Sequence, residues 1–198
     1  MRPIGPSNLI GSRGQIGPRA MAARTLALFA LVAALAACAH DYEARFTSGP
    51  RGAPLLPLEA SILVGIPLDA REAQFVYLDS GRITSDEILN ALAPHTGAAR
   101  AAESAETLET YAGQARESGL DYVIFPEILI WQDHNTRTLG IPDLLELRLT
   151  LVDAGTGDVL DVATLSASSR ITPSWSDEPR DLLPGSLARY AARVFEGE

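Results

Sequence analysis

The sequence predicts an α/β (α+β) domain: a single mixed sheet with helices packed on it, an antiparallel hairpin in its second half and a terminal helix. Three observations carry this. Short apolar runs alternate with amphipathic segments between residues 61 and 131. Strict two-residue alternation follows from Leu145 to Leu165, broken by a glycine turn. A last helical stripe closes the chain near Phe195. Strands joined through helices run parallel and strands joined by a tight turn run antiparallel, so the sheet is mixed.

The elements follow in order. Ser61 to Ile66, closed by Pro67, is continuously apolar and reads as a strand covered on both faces. Gln74 to Leu78 reads as a second strand, stopped by Ser80-Gly81. Thr84 with Glu87 has capping-box spacing and opens a helix whose stripe is Ile88, Leu89 and Leu92, ended by Pro94 and Gly97. A short strand is expected at Ala98 to Ala102. A helix follows over Ala105 to Ser118, with Leu108, Tyr111, Ala112 and Ala115 inward and Gly119 as its stop. Asp121 to Trp131 is the strongest strand. Pro126 inside it cannot donate a ladder hydrogen bond and implies a bulge or a local edge. After a loop at Asn135 to Asp143, Leu145, Leu147, Leu149 and Leu151 alternate with polar residues. Asp153 to Asp158 is a hairpin turn, and Val159, Asp161 and Ala163 share one side of the returning strand. Arg180 to Phe195 becomes the terminal helix, with Leu187, Tyr190, Ala191 and Val194 inward.

Composition excludes several functions. Ahead of Cys38 stand four arginines and no acid; from Cys38 onward twelve arginines face 25 acidic residues. An acidic body repels phosphate backbones, so no nucleic acid is expected as a partner. Lysine is absent throughout, which removes P-loop phosphate binding and lysine-based catalysis. One cysteine forms no intramolecular disulfide, and three scattered histidines make no zinc spacing, so neither metal nor cofactor is expected.

That cysteine has a different use. Read from Met21, Arg24 is a positive n-region, Leu26 to Ala34 a short apolar h-region, and Leu35-Ala36-Ala37 a run of small residues before Cys38. The pattern resembles the lipobox of bacterial lipoproteins, in which the cysteine thiol is diacylated and the signal is cut just before it. Two acyl chains suffice for stable anchoring. The apolar run is too short for the ~20 residues that span a bilayer. Residues 1–37 are therefore expected as signal peptide, with Met21 a candidate true start. Residues 38–58 are expected as lipidated Cys38 and a flexible tether, and 59–198 as a single globular periplasmic domain. Ala39, in place of an acidic residue after the cysteine, resembles the outer-membrane sorting signal.

Within the domain, Asp133-His134 offers the carboxylate and imidazole of a catalytic pair, but neighbours in a loop rarely face each other and no nucleophile elbow supplies a serine. No catalytic residue is assigned. Glu127 is expected to pair with Arg148 or Arg170, because an unpaired buried carboxylate is costly. Gly155-Thr156-Gly157 joins two alternating strands and is a turn, not a phosphate loop. The candidate partner-binding residues are Trp175, Trp131, Asp133, His134 and Asp143. Trp175 lies in a polar Pro/Ser stretch with little core to bury it, whereas Trp131 has an alternative place in the core.

Tyr122 to Asp133, Gly140, Pro142-Asp143, Gly157 to Asp161 and Asp181 to Pro184 together resemble the proteobacterial lipoprotein family catalogued as domain of unknown function 4823. The likeness covers most of the chain after Cys38. That family has no assigned activity and implies no catalytic residues. Asp121 to Ile128 and Leu147 to Leu160 are similar at a distance to the amino-terminal domain of TolB. They are similar also to lipoproteins that activate penicillin-binding proteins and to curli-secretion lipoproteins, which implies binding to other envelope proteins. The expected function is an outer-membrane-anchored lipoprotein with a periplasmic protein-binding or scaffolding domain. An envelope hydrolase using Asp133 and His134, or a carrier of a small apolar ligand, stand as alternatives. Cys38→Ser should abolish acylation, because a hydroxyl does not replace the thiol as lipid acceptor. Metabolic labelling with a fatty acid checks this, and an unlabelled wild-type protein would end the lipoprotein reading.

Overall fold

The computed structural model describes residues 41–47, 53–134, 140–169 and 178–197. Six strands form one mixed sheet in the order β1-β8-β7-β6-β2-β5: β1 (Asp41–Phe46), β2 (Ile62–Val64), β5 (Ala99–Ala101), β6 (Tyr122–Gln132), β7 (Leu144–Asp153) and β8 (Val159–Ser168). Among the described residues the helices are α1 (Ser80–Leu92), α2 (Leu108–Glu117) and α3 (Leu183–Glu196), the last preceded by a 3-10 turn at Pro179–Leu182. β2 pairs in parallel with both β5 and β6, and the β6-β7-β8-β1 half is antiparallel throughout.

The parallel half dictates where the helices go. From β2 the chain crosses through α1 to β5 on one side, then through α2 back past β2 to β6 on the other. Right-handed crossovers in opposite directions place their helices on opposite faces. The core divides accordingly. Ile62, Val64 and Ile124 join the larger cluster with Leu92 of α1 and Leu187 of α3, while Leu63 and Val123 join the smaller one with Tyr111 and Ala115 of α2. All three residues of β2 are buried, as a strand covered on both faces requires. On β7, Leu145, Leu147, Leu149 and Leu151 are each at most 2 % exposed, so the alternation places the core face as expected.

Four elements differ from expectation. The tether expected from residue 38 is not free chain after Asp41: residues 41–46 form edge strand β1, with Asp41 opposite Ser168 and Phe46 opposite Ala163. The signal was in the sequence, where Tyr42, Ala44 and Phe46 alternate with charged residues; those three pack on the core. Helix α3 fastens the strand, Arg189 donating to the Tyr42 carbonyl at 2.9 Å and lying over its ring. Leu56 is buried too, and its N–H reaches Val194. The domain therefore starts well before residue 59.

The strand expected at Gln74 to Leu78 does not enter the main sheet. β4 (Phe75–Val76) pairs only with β3 (Arg71–Glu72), in a separate two-stranded ribbon. Helix α1 starts at Ser80 rather than at Thr84, so there is no Thr84/Glu87 capping box. Thr84 is buried inside the helix and its hydroxyl donates to the Ser80 carbonyl. Asp69, from the preceding loop, caps instead: its carboxylate accepts from Asp79 N at 3.2 Å and Gly81 N at 2.9 Å. A side chain at Gly81 would collide with the Pro67 carbonyl, which fixes glycine there.

Pro126 pairs with Leu149 in unbroken register, so of the two expectations the local edge holds. The Ile124 carbonyl accepts from Gly65 N, and two residues on, strand geometry aims the backbone of residue 126 to the same side. β2 has ended by then, and proline loses no ladder bond. The bulge lies instead between Ile128 and Ile130. It switches the inward parity, so that Ile124 before it and Trp131 after it face the same cluster. Asp161 is fully buried on the inner face of β8, beside Ala163 and Leu165.

Truncating Ile124 to Ala removes a fully buried side chain from the cluster under α1 and α3 and should cost about 2–5 kcal/mol. Phe125→Ala, half-buried on the opposite face, should cost less. Denaturant midpoints of the two variants measure this, and an unchanged midpoint for Ile124→Ala would contradict the packing described.

Candidate functional site

Two features occupy the end of the sheet where the parallel strands point their carboxyl ends. The first is a cleft of about 830 Å³. The loops after β2 and β5 leave for opposite faces, and the cleft opens between them against the flank of β6. In open α/β sheets this is the crevice where ligands bind. Its apolar wall is Ile66, Leu68, Leu108, Phe125, Pro126 and Ile128. Around it stand the carboxylates of Asp69, Glu106, Glu109 and Glu127, with Arg71. Leu68 is 79 % exposed at the lip. Glu127 is held directly across the strands by Arg148, with N–O contacts of 2.8 and 3.2 Å, which is the pairing expected for it.

Tyr111 of α2 builds the wall of this cleft from below. Its ring is fully buried, and its hydroxyl accepts from Ile66 N at 3.0 Å and Glu106 N at 2.9 Å. The same hydroxyl donates to the Ser104 carbonyl at 2.8 Å, with the Ile66 carbonyl a longer second acceptor at 3.1 Å. One side chain thus satisfies backbone groups of the β2–α1 loop and the β5–α2 loop together. A β-carbon on Gly65 would come 2.5 Å from the Tyr111 ring, so the close approach of strand and ring requires glycine. Thr107 caps α2 by accepting from Thr110 N.

The second feature gathers the residues picked out in sequence. Trp131 is 8 % exposed and packs with the core, its ring 6.5 Å from that of Tyr77, which places it on the core side of the two roles considered. Tyr77 in turn donates to Glu72 at 2.9 Å and ties down the β3–β4 ribbon. His134 N donates to Asp143 Oδ1 at 2.7 Å, and His134 Nδ1 lies 2.9 Å from the Pro142 carbonyl. Asp143 is fully buried, its N–H donates to Ser169 Oγ at 2.8 Å, and Ser169 Oγ donates back to its carboxylate at 3.2 Å. A nucleophile relay needs the imidazole between the serine and the acid. Here the carboxylate stands between the serine hydroxyl and the histidine main chain, which is the geometry of a staple joining the ends of β6, β7 and β8. Among the described residues no three His, Cys, Asp or Glu side chains are grouped to hold a metal.

Asp133 is exposed beside this staple. Partial burial, then the neighbouring carboxylates of Asp143 and Glu178, hold its carboxyl above the usual range. Cys38 and Trp175 lie outside the described residues, as do 135–139 of the loop and 171–177 of the Trp175 segment. The cleft and Tyr111 were missed in sequence. The available signal was the pair of long loops after two apolar strands, Ile66 to Asp79 and Ala102 to Thr107.

A mixed α+β sheet with a crevice beyond the carboxyl ends of its parallel strands defines a small α+β domain. The chain belongs to the family described as domain of unknown function (DUF4823), whose model matches residues 55–194. No curated protein matches it in sequence. The PelC dodecamer from Paraburkholderia phytofirmans is similar in structure, at 17 % identity and a TM-score of 0.61, over 80 % of this chain and 99 % of that one. A DUF330 protein from Xanthomonas campestris is similar at 14 % identity and a TM-score of 0.43, over 76 % and 90 % of the two chains. A lipoprotein from Neisseria meningitidis is similar at 14 % identity and a TM-score of 0.36, over 57 % and 82 %.

Tyr111→Phe keeps the ring but strands the buried Ile66 N, at about 1–3 kcal/mol for a buried group left unsatisfied, while the part-buried Glu106 N adds less. A denaturant midpoint unchanged from wild type would mean that water replaces the hydroxyl. For Asp133 the folded state binds its proton more tightly than the unfolded chain does, so stability falls as pH rises through the interval between the two titrations. Asp133→Asn should therefore melt slightly higher than wild type at neutral pH. The difference should vanish below the ordinary carboxylate range, where both states are protonated. Paired thermal melts across acid and neutral pH read the difference.

Proposed function

We propose that this chain is an outer-membrane lipoprotein, anchored through diacylated Cys38, whose periplasmic domain binds another envelope protein rather than catalysing a reaction. The observation that carries the binding role is the cleft: an apolar wall ringed by acids, with Leu68 exposed at its lip. Beside it β6 runs on from Pro126 without a paired strand on that side among the described residues. An extended segment of a partner fits such a place, contributing backbone hydrogen bonds along the strand and an apolar side chain to the wall. The anchor rests on the lipobox pattern at Leu35 to Cys38. The similar PelC domain assembles as a dodecamer, which supports a fold suited to protein contacts.

A second reading has its own support. The cleft volume lies within the ~300–1,000 Å³ typical of small-ligand pockets, which suits a carrier of an apolar molecule. Mass spectrometry of protein purified gently from its membrane separates the two, since only a carrier retains a small apolar molecule.

The binding reading is tested with a photo-reactive amino acid at Leu68 in intact cells. It should yield one reproducible protein adduct, while the same probe at Gly97, at the opposite end of the sheet, should not. Phe125→Ala should weaken that adduct and His134→Ala should leave it intact. An adduct equally strong from both probes, or none from Leu68, would remove the cleft as the binding surface.

A further inference from the structure

β1 brings the sheet very close to the proposed lipid. Only Ala39 and His40 separate Cys38 from Asp41, the first residue of β1. At ~3.3–3.6 Å per extended residue, those three steps reach about 10 Å at most. A tether running to residue 58 would have reached much farther. β1 does not yield more chain, because it is paired over six residues with β8 and held by α3 through Arg189.

The register also says which end the lipid holds. Asp41 is opposite Ser168, Ser168 opposite Leu144, and Leu144 opposite Gln132. This is the end at which β6 finishes, beyond the ends of β2 and β5, and the β3–β4 ribbon reaches it through Tyr77, whose ring lies against Trp131. Large apolar side chains are exposed there: Phe75 at 63 %, Val76 at 41 %, Leu78 at 77 % and, three residues before β7, Ile141 at 45 %.

We propose that this end of the domain docks on the membrane that holds the anchor, with Phe75, Val76, Leu78 and Ile141 entering the lipid headgroup layer. The inference rests on the lipidation of Cys38 proposed above. Aromatic and aliphatic side chains on a surface held against a bilayer gain by burial in its interface. Charge selects the lipid. Glu72, Asp79, Asp133 and Glu178 lie at this end against Arg71 and Arg180, and Arg180 is already paired with Glu178 at 2.9 Å. A surface with excess carboxylate is repelled by anionic headgroups, so the fitting surface is zwitterionic. The cleft opens lower, beside residues 125–128 of β6, and is left accessible from the side.

The test uses the acylated full chain in vesicles of phosphatidylethanolamine and phosphatidylcholine. Acylation occupies the only native thiol, so a cysteine introduced at Phe75, Ile141 or Gly97 takes a fluorophore selectively. Lipids brominated along their acyl chains should quench the dye at 75 and at 141 several-fold more than the dye at 97. Adding phosphatidylglycerol should reduce the quenching at 75 and 141. Mass spectrometry of the same samples reads the acyl chains on Cys38. Acylated protein with equal quenching at all three positions would overturn the docking and leave the anchor standing. Protein without acyl chains on Cys38 would overturn both.

Discussion

The hydroxyl of Tyr111 is the constraint on which the working end of this domain depends. Two loops leave neighbouring parallel strands in opposite directions, and nothing in strand pairing holds them at a fixed separation. The Ile66 backbone is also buried out of reach of water. A single oxygen, buried under the cleft, accepts from Ile66 and Glu106 and lies within donating distance of Ser104. Because the ring is locked by Gly65 on one side and tilted against Phe125 at 6.1 Å on another, the oxygen has little freedom to wander. The cleft is consequently a shape set by the core rather than by its own lining. Binding to a wall already in place avoids much of the ordering entropy that a loose surface would lose.

The same logic runs through the rest of that end. Asp69 caps α1 from outside the helix, Ser80 returns a bond to Ala70 N, and Asp143 joins His134 to Ser169. Each is a short polar side chain spanning two loops, and each sits beside the carboxyl ends of the strands. The acidic character of the body therefore has a partly internal use. Carboxylates that accept backbone N–H groups hold irregular chain in place where sheet and helix hydrogen bonds are lacking.

Most of the fold was legible in sequence because burial there has a period. The β7 leucines, the β2 run and the α3 stripe each announce their partners through spacing alone. Three features were not legible for a physical reason. Gln74 to Leu78 has strand composition, yet its apolar side chains meet water in a two-residue ribbon, and composition does not record which surface a strand faces. Thr84 and Glu87 have the spacing of a cap, but the true cap is Asp69, supplied by tertiary structure from ten residues before Asp79. β1 was hidden because the prolines and glycines after it made the whole stretch read as linker. For the candidate site, sequence offered Asp133, His134 and Asp143 as partner-binding residues, while the staple that Asp143 forms depends on Ser169, which no local pattern connects to it.

The pairing of β1 with β8 also governs when the domain can be finished. Asp41 meets Ser168, a partner more than a hundred residues later, so the edge of the sheet is the strand pairing that waits longest for the chain to be made. Contacts of such sequence separation form late and slowly relative to local hairpins. As the chain is made, β1 remains without its neighbour until β8 and then α3 have followed it. Completion of the sheet is thereby a report that all six of its strands have arrived.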